Sequence, residues 1–568
     1  MRWLYRHTEA PPEPEALSAW AGRLDISPLL AGFLWQRGLR DMESMERFLN
    51  PGLKRLAPLE DWPGVGEAAS RLADGLLAGK KLAVWGDYDV DGITSTALVL
   101  DCLKKHGFEA VAHIPDRLGE GYGLNAPGID RLAESGASML LTVDCGITDV
   151  EAVAHARSLG MDVFVTDHHL PADILPEADA IINPRLHDCP CPSLAGVGVA
   201  FFLMAGLNAE FAARGRSRMD MREVLDLVAL GTLADVVDLN GQNRILVKNG
   251  LLKVAQASRV GIAALKAACN FSPTAALGAG QVVFTLAPRI NAAGRLGSSR
   301  AALDLLLTRD RHQAAELSAE LSRLNAERRD EEERILAEAA MQAEEQARHG
   351  RMGLVLHSPG WHPGIIGIVA SRVVESLHRP CVVLSSIDGY LKGSGRSVHG
   401  FDLHEAFSAC SDLLLGFGGH KMAAGLSLDA TLLGDFRDRF NACASQGLGG
   451  EAAEAVCAID GELSFGQVDY QLLKELEMLQ PFGMGNAEPV FASPPVRVKS
   501  MRGRPGFMLL ELLDEASGLS LPAKAWRQLA DMPASLKGKR IRIAFTPRID
   551  RYNGAASIEL RMKDWKET

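Results

Sequence analysis

No run of about 18 uncharged apolar residues occurs in the 568-residue chain, so no membrane-spanning helix and no membrane partner are expected. The opening segment Met1-Arg2-Trp3-Leu4-Tyr5-Arg6-His7 lacks the apolar stretch of a secretory signal, which argues for a cytoplasmic protein. Cysteine is sparse: nine residues, scattered rather than framed, as in a reducing compartment. Only Cys189-Pro190-Cys191 is close-spaced, with His187 nearby, and no second pair with ligand spacing follows, so a loop with incidental cysteines outweighs a zinc site. Glycine and proline are nearly missing from Asp310 to about Gly350, a stretch dense in Ala, Glu, Leu and Arg that reads as one long exposed helix with a solvated charged face. Basic residues are outnumbered, 60 against 71 acidic, for a net charge of −11. That balance does not by itself point to a polyanionic partner, but net charge averages over faces and local charge is the better guide. A chain of this length exceeds a single core and suggests three or four domains.

What is present is a recurring grammar of apolar run, acidic turn and helix. Lys81-Leu82-Ala83-Val84-Trp85 leads into Asp87-Tyr88-Asp89-Val90-Asp91-Gly92, which is followed by a helical stretch from Thr94 to Leu103. Ala137 to Val143 leads into Asp144-Cys145-Gly146, and Met161 to Thr166 leads into Asp167-His168-His169. The helix between the last two clusters, roughly Asp149 to Leu159, is what a parallel crossover requires, so the clusters should meet at one edge of a parallel sheet. If the first cluster stays extended, Asp87, Asp89 and Asp91 share one side. Burying like charges costs several kcal/mol per ion unless a cation compensates. A lone Asp-x-Asp-Gly is ordinarily a solvated turn, but strand ends of an open α/β sheet are where ligands bind. An EF-hand is excluded by the missing glutamate and the loop spacing. Oxygen donors with imidazole suit hard divalent ions, Mn²⁺ or Mg²⁺. Two such ions about 3.5–4 Å apart would activate water as the nucleophile and stabilise both oxygens of an in-line displacement, the chemistry of a two-metal hydrolase. Cys145 reads as a packing residue.

After residue 350 the character changes to glycines and donors. Gly393-Ser394-Gly395-Arg396-Ser397 and Gly416-Phe417-Gly418-Gly419-His420-Lys421 allow close backbone approach and offer N–H and cationic donors to phosphates, although strand-joining glycine turns would read the same way. Pro288 and Gly294 suggest an irregular segment presenting Arg289 and Arg295 toward the cleft, and Trp361-His362 borders the same region. The last ~75 residues carry Arg497, Lys499, Arg502, Arg504, Lys524, Arg527, Lys537, Lys539, Arg540, Arg542, Arg548 and Arg551 among short strand patterns, with Phe507, Trp526 and Tyr552 available for stacking. A small basic β-barrel of this kind guides single strands.

These strings together carry a resemblance. Asp-Tyr-Asp-Val-Asp-Gly at 87–92, Asp167-His168-His169 and Gly231-Thr-Leu-Ala-Asp235-Val-Val are joined by Leu194-Ala-Gly-Val-Gly-Val-Ala200 and Ala287-Pro-Arg-Ile-Asn-Ala-Ala-Gly-Arg-Leu296. Trp361-His-Pro-Gly-Ile-Ile-Gly367, Gly393-Ser-Gly-Arg396-Ser, Gly418-Gly-His420 and Pro481-Phe-Gly-Met-Gly-Asn-Ala-Glu-Pro489 follow in order. Over nearly its full length the chain resembles the DHH phosphoesterase superfamily, most closely its single-strand-specific exonucleases. The resemblance implies an α/β fold with a parallel-sheet DHH lobe and a smaller α/β DHHA1 lobe joined by a long helix, plus a C-terminal OB-like β-barrel. The corresponding segments are residues 1–70 as a flanking segment, 71–305, 306–350, 351–450 and 451–568. It implies that Asp89, Asp91, Asp144, His168 and Asp235 coordinate two ions, with Asp144 bridging and His169 near the scissile phosphate. Many members carry a metal-binding histidine four residues before the aspartate matching Asp89; here Trp85 stands there, and indole has no lone pair for a metal. Asp87 could fill that vacancy. The resemblance further assigns Arg396 and His420 to phosphate recognition, with Ser394, Gly418, Gly419 and His362 beside them and Arg289 and Arg295 in a similar role.

The expected activity is a Mn²⁺- or Mg²⁺-dependent exonuclease on single-stranded DNA, with 5′-to-3′ direction, recombination and repair, and a single-strand-binding protein or helicase as partners on the resemblance alone. The rivals are a phosphodiesterase acting on short RNA or cyclic dinucleotides, a small pyrophosphatase, and a catalytically silent DNA-binding scaffold. The basic C-terminal module favours a polymer substrate over the first two, and the nearly complete ligand set speaks against the third.

Overall fold

Short apolar runs separated by helical stretches predict a parallel sheet, and the computed structural model contains one. Its strands are β1 (Leu82–Gly86), β2 (Ala110–His113), β3 (Met139–Val143), β4 (Asp162–Thr166) and β5 (Ala180–Ile182), all parallel, in the order 2-1-3-4-5. β1 and β3 are buried throughout, which is why their sequences are continuously apolar rather than alternating. The chain leaves β1 toward β2 and returns past it to β3, which creates a switch point at the carboxyl ends of β1 and β3, where open α/β sheets form ligand crevices. Asp87 and Asp144 follow those two ends.

The structure describes residues 1–6, 12–117, 119–387, 389–450, 454–526, 532–550 and 556–568. Of the sequence readings, Arg527, Arg551 and Tyr552 lie outside the described residues. Two compact units result: Ala57–Val237 with Asn249–Glu454, and Met1–Leu56 with Asp238–Lys248 and Ala455–Thr568.

In the first unit, α1 (Val90–Lys105) begins directly after Asp89, whose side chain caps it by accepting from the Gly92 N–H at 3.1 Å. The segment therefore does not stay extended through Asp91, as the alternation reading expects; Asp91 lies in the first helical turn. Glycine at 92 is required, because a Cβ there would sit 2.5 Å from the Asp87 backbone. After β3 comes α2 (Val150–Ser158), the anticipated crossover. α3 (Gly196–Ala213) is long and apolar enough to cross a bilayer by length and composition, and 72% of it is buried inside the unit, packed on α1 and α4 (Leu225–Ala234).

The Pro288–Gly294 segment is not irregular. A π-helical turn (Val282–Leu286) runs straight into α5 (Ala287–Leu296). Pro288 lies just past that junction, and Gly294 admits the Tyr88 carbonyl, 2.6 Å from where a Cβ would be. α6 (Arg311–Arg348) is a single 38-residue helix capped by Asp310, which accepts from the His312 and Gln313 N–H groups at 2.7 and 3.0 Å. One face, including Leu321, Leu324, Ile335 and Ala339, is buried, and the charge run is otherwise solvated except for a buried Arg328–Glu332 pair at 2.6 Å.

A second sheet in this unit comprises β6 (Leu354–Ser358), β7 (Cys381–Ile387), β8 (Tyr390–Arg396), β9 (Gly416–His420) and β10 (Ala423–Asp429), ordered 9-10-8-7-6. β6 and β7 are parallel and the other pairings antiparallel.

In the other unit, Arg540–Asp550, Val496–Arg504, Phe507–Asp514, Leu519–Trp526 and Ser557–Glu567 pair successively, and the last also pairs with the first. The ladder runs in a ring, as an OB-like barrel requires. Helices Pro14–Leu24, Pro28–Gln36 and Met42–Leu49 share its core, with Leu30, Leu34 and Met45 packed in one cluster with Phe491, Leu512 and Phe545. Arg244 is buried there; it donates to the carbonyls of Phe48, Met478 and Leu479 at 2.9–3.0 Å and lies over the Phe48 ring.

Candidate metal centre and active site

Each acidic residue reaches the switch point by a different local device. Asp144 follows β3 in the left-handed region, φ 63°, an uncommon state for a residue with a side chain. Its carboxylate is accommodated because position 196 is glycine: a Cβ there would be 2.4 Å from Asp144 Oδ1. Asp91 accepts from the Gly196 and Val197 N–H groups at 2.7 and 2.9 Å, so the positive N-terminal end of α3 fixes it. Asp235 ends α4. A Cβ at Gly231 would sit 2.3 Å from Thr94 Oγ1 and 2.8 Å from Asp91 Oδ1, so this glycine allows α4 to approach α1.

His168 Nε2 lies among three of these carboxylates, 3.0 Å from Asp144 Oδ1, 3.6 Å from Asp235 Oδ2 and 3.9 Å from Asp91 Oδ2. Donor atoms gather within 4.8 Å of one another in three groups: Asp87, Asp89 and Asp144; Asp91, His168 and Asp235; and Asp144, His168 and His169. Asp144 belongs to two of them. Asp87 Oδ1, Asp144 Oδ1, Asp235 Oδ2 and His168 Nδ1 are buried without a hydrogen-bond partner. The 3.0 Å approach of His168 to Asp144 is therefore proximity without hydrogen-bond alignment, as expected of two groups aimed at a common centre. Burial first, and the neighbouring carboxylates after it, hold Asp87, Asp91 and Asp144 well above the ordinary aspartate range, and raise Asp89 as well. Burial keeps His168 below the usual imidazole value, in the neutral form that can ligate a metal. Several buried oxygens and one neutral imidazole, with no lysine or arginine ion-paired to them among the described residues, fit a hard divalent pair.

Trp85 is no part of this set. It is fully buried on the core side of β1, stacked near the His113 ring with centroids 4.1 Å apart, and Gly128 makes room for the indole, whose edge is 2.4 Å from where a Cβ would lie.

Asp167, expected at this edge but given no role by the sequence, and several residues that the sequence did not single out surround the centre. Asp167 accepts from the N–H groups of Ile147, His168 and His169, and its Oδ1 lies 2.7 Å from His169 Nδ1. Burial opposes charge on that imidazole, yet the Asp167 contact raises it to about 9. Asn183 and Arg185, just past β5, donate to the carbonyls of His169 and His168 at 2.9 and 2.7 Å. The recurring strand-end rule, applied once more to Ala180-Ile181-Ile182, would have found them. Tyr122 places its hydroxyl 3.2 Å from His169 Nδ1, and Arg117 stacks over Tyr88 at 4.9 Å. Nothing in their loops announced these.

The expected substrate residues divide. Arg295 is half-buried, donates to the Gly364 carbonyl at 2.8 Å, and is lowered to about 10 by burial and then by Arg117, Arg328 and Arg396. Arg396 is lowered by burial and then by Arg117; it donates to Ser394 Oγ and the Gly395 carbonyl at 3.0 and 2.7 Å. Arg117, Arg295 and Arg396 thus form a cationic cluster. Arg396 and His420 pair with the same residue, Ala423, in adjacent ladders, so both lie on one face of the second sheet, with His420 exposed. Gly418 is open, whereas Gly419, at φ 131°, meets the Ala424 backbone. His362 accepts from the Gly364 N–H at 3.1 Å. Arg289 is not brought into the cluster: it turns to the Thr285 carbonyl and Ser322 Oγ, at 2.7 and 3.2 Å.

On the barrel, Phe507 and Trp526 stack with centroids 4.6 Å apart beside exposed Arg504, which is cross-strand to Phe507. Most of the expected basic surface is paired. Arg497 and Arg540 meet Glu515, Lys499 meets Glu511, Lys524 meets Asp550 and Glu559, Lys539 meets Glu567, Arg542 meets Glu462 and Arg548 meets Glu488.

Comparison with known proteins agrees with this geometry. Residues 81–232 match the DHH family, N-terminal domain, residues 351–446 the DHHA1 domain, and residues 459–564 the RecJ OB domain. The single-stranded-DNA-specific exonuclease RecJ of Salmonella typhimurium is 39% identical over 485 residues, covering 82% of this chain and 83% of its own. The chain belongs to the RecJ family. Among RecJ crystal structures, the Mn²⁺ complex from Thermus thermophilus superposes with a TM-score of 0.84 at 33% identity, covering all of this chain and 80% of that one. The Mg²⁺ complex of the same RecJ gives 0.78 at 32% identity, covering 100% of this chain and 78% of that one.

Proposed function

We propose that the chain is a divalent-metal-dependent exonuclease that hydrolyses phosphodiester bonds of single-stranded DNA from the 5′ end, acting in recombination and repair. The observation that carries this is Asp144, shared by two donor groups, with an oxygen that is buried and lacks a hydrogen-bond partner. In this reading Asp87, Asp89, Asp91, Asp144, His168 and Asp235 hold two Mn²⁺ or Mg²⁺ ions. Such a pair supplies an activated water and neutralises charge on the reacting phosphate. His169, with Nδ1 engaged by Asp167 and its basicity raised, keeps Nε2 free to donate to a phosphate oxygen. Arg295 and Arg396, with Arg117, form a positive pocket suited to a terminal phosphate, and Ser394, His362, Gly418, Gly419 and His420 line the adjoining strand path. Arg289 belongs to a more distant part of that path.

Residues 71–305 then hold the ions, 351–450 grip the substrate, 306–350 join them, and 451–568 guide the single strand, with Phe507, Trp526 and Arg504 as a stacking tip. Residues 1–70 flank the groove. The family resemblance supports the polarity, a cytoplasmic location, and a single-strand-binding protein or helicase as partners. The test is digestion of end-labelled single- and double-stranded DNA by the wild type and Asp144→Ala, with and without Mn²⁺. Release from the 5′ label of single strands, lost in the variant, is expected. Release from the 3′ label, or preference for short RNA, would refute the assignment.

A further inference from the structure

A metal-ligating imidazole is ordinarily oriented by a hydrogen bond from its other ring nitrogen to a carboxylate, a carbonyl or water. His168 has no such protein partner: its Nε2 faces Asp144, Asp235 and Asp91, and its Nδ1 is buried without a hydrogen bond. The ring must then be held through its own backbone, and both peptide groups beside it are gripped by side chains. The His168 N–H donates to Asp167 Oδ1 at 2.7 Å, and the His168 carbonyl accepts from Arg185 Nε at 2.7 Å. The pattern continues one residue on, where the His169 N–H donates to Asp167 Oδ1 at 3.1 Å and the His169 carbonyl accepts from Asn183 Nδ2 at 2.9 Å. The peptide plane joining the two histidines is thus held at both ends, by Arg185 on its carbonyl and by Asp167 on its N–H.

Asn183 and Arg185 come from the turn that follows β5, at the same carboxyl edge as the metal centre. They act as one bracket. Asn183 is buried, and its Oδ1 accepts from the Arg185 N–H at 2.9 Å while its Nδ2 serves His169. Pro184 between them fixes one torsion of the turn. Arg185 is exposed and forms no ion pair among the described residues, yet it turns Nε onto a backbone carbonyl.

We propose that Arg185 is a positioning residue for His168. By fixing the peptide plane between the two histidines it stands in for a partner on Nδ1 and keeps Nε2 aimed at the divalent ion. This rests on the exonuclease reading, in which His168 is a metal ligand. The test uses the full chain and compares the wild type with Arg185→Gln, Arg185→Lys and Arg185→Met. Glutamine places an N–H donor as many bonds from Cα as Nε but carries no charge; lysine keeps the charge without that donor; methionine has neither. Because Arg185 is exposed, all three variants keep the fold. Mn²⁺ affinity is measured by isothermal calorimetry without DNA, and the Mn²⁺ concentration giving half-maximal single-strand digestion is measured alongside. Arg185→Met and Arg185→Lys should bind Mn²⁺ about tenfold more weakly and need correspondingly more for digestion, while Arg185→Gln should stay within about twofold of the wild type. Wild-type affinity in Arg185→Met, a loss in Arg185→Gln as large as in Arg185→Met, or wild-type affinity in Arg185→Lys would overturn the inference. If the wild type binds no Mn²⁺, the exonuclease reading falls; if it does and Arg185→Met binds equally well, only the positioning role falls.

Discussion

At the carboxyl edge of the parallel sheet, Asp91, Asp144 and Asp235 converge on His168, Asp87 and Asp89 gather with Asp144, and among the described residues no lysine or arginine forms an ion pair with them. On the C-terminal barrel, Arg497, Lys499, Lys524, Lys539, Arg540, Arg542 and Arg548 each meet a carboxylate. The barrel has the denser run of charge in sequence, yet its charges largely cancel pairwise in water, where such pairs are worth little. The edge has fewer charges, buried and of one sign, and that imbalance is stable only with an added cation. Uncompensated burial marks chemistry better than abundance does.

The contrast breaks most sharply at Asp144. Asp144→Asn should lower single-strand digestion about a thousandfold or more, as should EDTA on the wild type, because both remove several kcal/mol of charge stabilisation. The variant should also lose the rise in melting temperature that Mn²⁺ gives the wild type, measured by differential scanning fluorimetry. If the variant retains both, the edge is no metal centre.

A paired buried charge in the same unit supplies the control. Arg259 contacts Asp226 at 2.9 Å and Asp101 at 3.0 Å. Arg259→Met should cost about 3 kcal/mol in urea unfolding by stranding the buried Asp226 and leaving Asp101 to Lys105 and Arg309. Burial opposes ionisation of Asp101, but Arg259 and Lys105 hold it below its ordinary value of 3.8. Its stabilisation is therefore present above that value and lost as pH falls through the depressed one. In Arg259→Met this acid-side loss should begin at higher pH.

Gly196→Ala forces a methyl group against Asp144 without removing any charge, and should weaken Mn²⁺ affinity about tenfold by calorimetry, in line with other perturbations of ligand support. The smallest effect belongs to the barrel. Arg497→Ala should change stability by no more than about 1 kcal/mol in the same urea titration, because the pair is exposed and Glu515 retains Arg540. A larger loss would mean that the barrel surface is organised more tightly than its pairing implies.

The strand-end acids were legible because apolar runs ending in Asp must either solvate those groups or neutralise them. The route by which Asp87, Asp89 and Asp91 converge was not, since the helix starts at Val90 rather than after Asp91. Arg289 and Arg295 looked equivalent in sequence; six residues of regular helix send one to Ser322 and the other to the arginine cluster. Pairing on the barrel was hidden because its partners are fixed by register, Arg540 meeting Glu515 and Arg542 meeting Glu462 across gaps that no local pattern encodes. Tyr88, Tyr122 and Arg117 come from turns with no periodicity. Nor could sequence show that residues 14–49 share a core with the barrel, because their apolar faces name no partner.

The short backbone contacts from Gly196 and Val197 to Asp91 tie the beginning of the site to chain made a hundred residues later. A nascent polypeptide ending before that point would carry a cluster of like charges with nothing to orient it. Grip on metal should therefore arise abruptly during synthesis, once the segment through Asp235 has emerged, rather than grow strand by strand.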